Sequence, residues 1–162
     1  MAHQRGEPAR GHAVTPPRLV LDTQVWLDLL VFDDPRVDAL RTALQEGAAV
    51  ALMDPRMHAE LVRVLGYPAL SLDAARAAAV ARDASLLSQR VDLPDPVPAG
   101  LPRCRDPDDQ MFVELAIIAR VDALLSRDRA LLRMARRLRR EGIDVLEPAD
   151  WRAAAAPQIS KR

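Results

Sequence analysis

Lysine is almost missing from this chain. Lys161 stands alone among 23 basic residues, and all the others are arginine. Chemistry that needs a lysine within the folded body is thereby excluded: a P-loop has no Gly-Lys-Ser/Thr to build on, and a phospho-receiver has no lysine beside its acceptor. A single cysteine, Cys104, rules out an internal disulfide and a cysteine-based zinc site. Aromatics make up 3% of the 162 residues, so the core has to be aliphatic, and the scarcity argues against reading bases by stacking. No apolar run reaches the roughly 20 residues of a membrane helix, and Met1–Thr15 has none of the apolar stretch of a signal peptide. Acids also number 23, so the net charge is zero and the chain is not globally basic. With 49% hydrophobic and 28% charged residues, the composition is that of one soluble globular domain, expected in the cytoplasm.

What is present alternates strand and helix signals. Residues 1–16 are punctuated by Gly and Pro and read as a disordered tail, residues 17–152 as the domain, and 153–162 as a second tail. Arg18–Leu21 predicts a buried strand, followed by a helix over Gln24–Leu30. A helix over Arg36–Glu46 and a strand over Ala48–Leu52 follow. Asp54-Pro55 and Gly66 bracket a helix over Pro55–Leu65. Ser71–Gln89 reads as an Ala-rich helix, and the prolines at 94, 96, 98 and 102 make Leu93–Cys104 a long irregular connection. The remaining expectations are helices over Pro107–Arg120, Asp128–Glu141 and Pro148–Ala156, with strands over Val121–Ser126 and Ile143–Leu146. This alternation implies a parallel sheet of four or five strands covered on both faces.

Ligands of such sheets bind beyond the carboxyl ends of the strands. Asp22 closes the first strand and Asp128 follows the third; either could equally be a helix N-cap. Glu60 sits three residues after Met57 and four before Val64, on the apolar stripe of its helix. An acid there needs an arginine partner or a metal. In Arg105-Asp106-Pro107-Asp108-Asp109, Asp106 is placed to cap a helix and Asp109 lies in line with Phe112 and Ala116 on the inner face, while Asp108 points to solvent. No residue has the setting of a covalent nucleophile. Arg127, Arg129, Arg133 and Arg136 form part of a basic stretch that could follow an RNA backbone or simply be a solvated face.

Taken together, these segments resemble the PIN domain family, that of the VapC-like toxin ribonucleases. Leu19-Val20-Leu21-Asp22-Thr23 is similar to its opening strand and first acid, and Glu60-Leu61 through Val64-Leu65 to its Glu-Leu-x-x-Val-Leu helix. Cys104–Asp109 resembles the Cys-Arg-Asp-Pro-Asp-Asp segment of a subgroup described as toxin components of toxin–antitoxin systems. Ser126-Arg127-Asp128 resembles the family's Ser/Thr-x-Asp. The likeness runs from about Arg18 to Trp151. One position departs: Gln24 stands where the family usually has an Asn that supports the site. The resemblance implies a three-layer α/β/α sandwich and a ribonuclease. Asp22, Glu60, Asp109 and Asp128 would be its catalytic and metal-binding acids, supported by Thr23, Asp106 and Ser126. An all-carboxylate site selects Mg²⁺ or Mn²⁺. The partners expected are an RNA substrate, a cognate antitoxin and a second copy of the chain, with no membrane. The alternative is a PIN-fold RNA-binding or protein-interaction module without turnover. Other enzymes with an Asp after the first strand fit less well: a haloacid-dehalogenase-like phosphatase wants Asp-x-Asp, and Asp22-Thr23-Gln24 lacks the second acid.

Overall fold

The computed structural model describes residues 15–153. The two expected tails fall outside these residues except at Thr15, Pro16 and Ala153. Five parallel strands form one sheet in the order β3-β2-β1-β4-β5. They are β1 (Arg18–Leu21), β2 (Val50–Met53), β3 (Ser88–Arg90), β4 (Ala123–Leu125) and β5 (Asp144–Leu146). Leu19, Val20 and Leu21 of the central strand are fully buried, as are Leu124 and Leu125. Successive side chains of a strand point to opposite faces, so both faces of the sheet are covered by helices. The result is the three-layer α/β/α sandwich expected from the sequence.

The helices are α1 (Thr23–Leu30), α2 (Asp38–Gln45), α3 (Pro55–Leu65), α4 (Ala74–Leu86), α5 (Gln110–Ile118), α6 (Arg129–Leu132) and α7 (Ala135–Arg139). Helix α3 packs against α1, α4 and α5, while α5 lies against β1 and β4, and α6 and α7 lie against β5. Its bounds match the sequence reading because both ends carry strong signals. Asp54 accepts a hydrogen bond from the Met57 amide, Pro55 opens the first turn, and Gly66 closes the last.

Elsewhere the structure corrects the reading. The expected helix over Ser71–Gln89 stops at Leu86, and Ser88–Arg90 forms the edge strand β3. This segment, Ser-Gln-Arg, is polar because an edge strand is half exposed, so no apolar run announced it. The Arg-rich stretch is two short helices, since the Met134 amide bonds the Leu131 carbonyl and tightens that turn. Prolines at Pro35, Pro107 and Pro148 each open a 3-10 turn where an α-helix had been expected to begin. At Pro148 the turn ends at Asp150; Ala154–Ala156 lie outside the described residues.

Candidate active site

The connection from β3 to β4 crosses over β2 and β1, which makes β1 and β4 neighbours from which the chain leaves in opposite directions. That is where an open parallel sheet forms a crevice at its carboxyl edge. The register pairs Leu21 with Leu125, so the next residues, Asp22 and Ser126, come level. The Asp22 amide extends the ladder by bonding the Leu125 carbonyl at 3.1 Å.

Ser126 ties the two strand ends together. Its hydroxyl, fully buried, donates to Asp22 Oδ2 and accepts from the Asp128 amide at 2.9 Å. Asp22 Oδ1 accepts from the Val25 amide at 3.0 Å and so caps α1, and Asp128 caps α6 through the Ala130 amide at 2.7 Å. Capping and membership of the cleft are therefore properties of the same two carboxyls. Thr23 is the first residue of α1 and stands at the same edge.

A cleft of about 380 Å³ opens here, lined by Asp22, Thr23, Glu60, Asp109, Arg127 and Asp128 among others. All four acids singled out in the sequence border it. Asp108, expected to point away, is exposed on its rim, and Met111 and Phe112 form part of its wall. Glu60 enters from the edge of the α3 stripe, not its centre: Met57, Leu61 and Leu65 are buried, whereas Glu60 is half-buried and ion-paired with exposed Arg63 one turn on. The arginine partner that the sequence offered as one alternative is thus present, and it is an exposed one. Asp106 lies off the cleft and accepts from the Asp108 amide at 2.9 Å, opening the turn that delivers Asp109. Arg129, Arg133 and Arg136 are exposed and lie off the cleft wall; only Arg127 of that group borders it.

The electrostatics follow from this crowding. Burial pushes Asp22 up to about 6 against the opposing pull of the Ser126 and Val25 hydrogen bonds, with smaller upward pushes from Asp128 and Asp28. Asp109 is pushed up to about 7 by desolvation first, then by the charges of Asp128, Asp106 and Asp22. Its Oδ2 is buried without a hydrogen-bond partner among the described residues. The donor set is wholly oxygen, which suits a hard divalent cation. Among the described residues no three of these groups close on one point as a finished cage. Asp22 is drawn to Ser126 and Glu60 to Arg63 instead of to a shared centre. The residue types and their shared cleft therefore suit a divalent ion, while the carboxyls as placed do not meet at one point.

Two features escaped the sequence reading. Asp28 on α1 is 2% exposed and receives Arg127 Nη2 at 2.7 Å across 99 positions of sequence. Its signal was an acid inside the otherwise apolar run Val25–Leu30. Gln110 accepts from the Cys104 amide at 2.7 Å and donates to the Pro102 carbonyl at 3.0 Å, pinning the long loop to the base of α5. A separate cavity of about 250 Å³, bordered by Asp54, His58 and Arg90 at the ends of β2 and β3, holds none of the four acids.

Among the described residues no helix is long and apolar enough to cross a membrane. Comparison with curated proteins gives no match. A protein-family model described as PIN domain matches residues 18–130, a span that contains all four acids. On that match and this sheet order, the chain belongs to the PIN domain family, whose members are in general nucleases that use divalent metal ions.

Proposed function

We propose that this PIN domain is a metal-dependent ribonuclease in which Asp22, Glu60, Asp109 and Asp128 hold Mg²⁺ or Mn²⁺. One observation carries the reading: Asp109 presents a buried, unpartnered carboxyl oxygen to a cleft it shares with three other acids. Of the four, Glu60 alone has an arginine partner, Arg63, and carboxylates left without a cation would repel a phosphodiester. An ion bound there supplies a water of lowered pKa and stabilises charge on the leaving oxygen.

The chain's own part is positional. Ser126 fixes Asp22 and Asp128 to each other through one hydroxyl, so the two strand ends act as a unit. Gln110 and Asp106 set the turn that carries Asp109, and α3 presents Glu60 from the opposite side. Arg129, Arg133 and Arg136, exposed beyond the cleft, offer guanidinium forks to the backbone of RNA. With few aromatics, recognition rests on shape and phosphates rather than stacked bases. The likeness of Cys104–Asp109 to the toxin subgroup extends the proposal to a cytoplasmic toxin with a cognate antitoxin and a second copy of itself as partners.

The test is cleavage of single-stranded and structured RNA in Mn²⁺ by the wild type and by Asp22→Asn. Metal-dependent cleavage that disappears in the variant supports the proposal; metal-independent cleavage that survives in it overturns the mechanism. The open spacing of the acids favours one second reading, a PIN-fold RNA-binding or interaction module. Absence of both cleavage and any thermal shift with either ion would select that module. Growth arrest on expression, relieved by a neighbouring open reading frame, tests the toxin role.

A further inference from the structure

Five carboxyls border the cleft: Asp22, Glu60, Asp108, Asp109 and Asp128. Among the described residues, Arg127 is the one cation that lines it. A polyanion entering this space meets five carboxyls, neutral side chains such as Gln24 and Met111, and a single residue of opposite charge.

Arg127 does not owe its position to a helix. It occupies the turn between Ser126, held in the sheet, and Asp128, the cap of α6. From there Nη2 reaches inward to Asp28 Oδ1 at 2.7 Å, and the Asp28 side chain is 3% exposed. The Arg127 side chain remains 33% exposed, so one part is anchored in the interior while another borders the cleft. The anchor is single-pronged. Nε is buried and without an acceptor among the described residues, so the fork that usually grips a carboxylate with two parallel bonds is half used. Gln24 Nε2 also donates to Asp28 Oδ1, at 3.3 Å, and Gln24 itself lines the cleft. The residue that departs from the family's usual Asn thus touches Arg127's anchor.

We propose that Arg127 seats a phosphate of the RNA chain beside the four acids, with buried Asp28 as the positioning residue that holds it and Gln24 as the residue that steadies Asp28. The inference rests on the ribonuclease reading. It assigns Arg127 a role that the exposed arginines of α6 and α7 do not share, since those lie off the cleft.

Removing Arg127 alone would strand the Asp28 charge in the interior and endanger the fold. The informative protein is therefore the Asp28→Asn/Arg127→Gln double variant, which keeps a neutral hydrogen-bonding pair, made in an Asp22→Asn background to stop turnover. Binding of a short fluorescein-labelled single-stranded RNA is followed by anisotropy in Mn²⁺ across a salt series, with thermal melting as the check on folding. Against the Asp22→Asn parent, the expected loss is about tenfold to a hundredfold in affinity, the worth of one charge-assisted hydrogen bond. The slope of log affinity against log salt should also fall by about 0.7, one phosphate contact on a single strand. A purely structural ion pair would not move that slope. A folded double variant with the parent's affinity and slope overturns the inference and leaves the ribonuclease reading standing. A parent that binds no RNA, together with a wild type that cleaves none, overturns both.

Discussion

Asp22 gives one oxygen to the Val25 amide and the other to the Ser126 hydroxyl; an amide side chain can repeat the first bond and replace the second by one of reversed direction. In Asp22→Asn the carbonyl oxygen would cap α1 while Nδ2 donates to Ser126 Oγ, which has a second lone pair beside the one used by Asp128. Burial of a charge is relieved at the same time. Asp22→Asn should therefore melt at or above the wild-type temperature at pH 8, yet lose cleavage by about a thousandfold, since a neutral amide is a poor ligand for a hard cation. Asp109→Asn should lose as much, because it removes a charge from the same cleft, where Asp109 keeps a buried oxygen without a partner among the described residues. Asp106→Asn should stay close to wild type, as Asn caps a turn about as well as Asp. Equal losses at 106 and 109 in the same RNA assay would mean that this segment acts through folding and not through a ligand.

Elements were legible where their ends were marked by chemistry and illegible where tertiary contact chose for them. Helix α3 could be read to the residue from Asp54-Pro55 and Gly66, whereas β3 is polar and pairs only because β2 lies beside it. The site divides in the same way. Asp22 and Asp128 could be found as acids at strand ends and Glu60 as an acid on an apolar stripe. The Asp28–Arg127 pair could not be matched from sequence, because its halves are 99 positions apart and only the sheet order brings them together. Gln110 is another such link, local in sequence but invisible until the loop is seen to fold back on it. Gln110→Ala removes an acceptor and a donor from the Pro102–Cys104 backbone and should cost about 1–3 kcal/mol. Gln110→Glu keeps the acceptor for the Cys104 amide and should fall between. Denaturant melts would rank the three proteins, and limited proteolysis should nick the loop of the Ala variant first, at Leu93–Arg103. Identical protection in all three would show that the clamp does not hold the loop.

At the scale of the whole molecule, the crossover that makes β1 and β4 neighbours gathers acids at one edge and so couples stability to pH and, on the proposed reading, to metal. Asp22 and Asp109 titrate at about 6 and about 7 in the fold, against 3.8 when unperturbed. Both values are raised, so the folded state binds more protons than the unfolded chain between these limits. Their contribution to stability is complete below about pH 4 and is lost as pH rises through about 6 to 7. A divalent ion held as proposed would reverse the trend, because it would bind the ionised carboxyls and have to displace protons at lower pH. With chelator present, these two groups should lower the melting temperature between pH 5 and pH 8. Mg²⁺ or Mn²⁺ at a hundredfold excess over its Kd should add about 2.7 kcal/mol at pH 8, a rise of several degrees, and much less at pH 5. Asp109→Asn should flatten both responses, since it removes the group with the higher value. Calorimetric melts of the two proteins at the two pH values decide the matter. A metal shift of the same size at pH 5 and pH 8, or one that survives in Asp109→Asn, would place the ion away from this cleft.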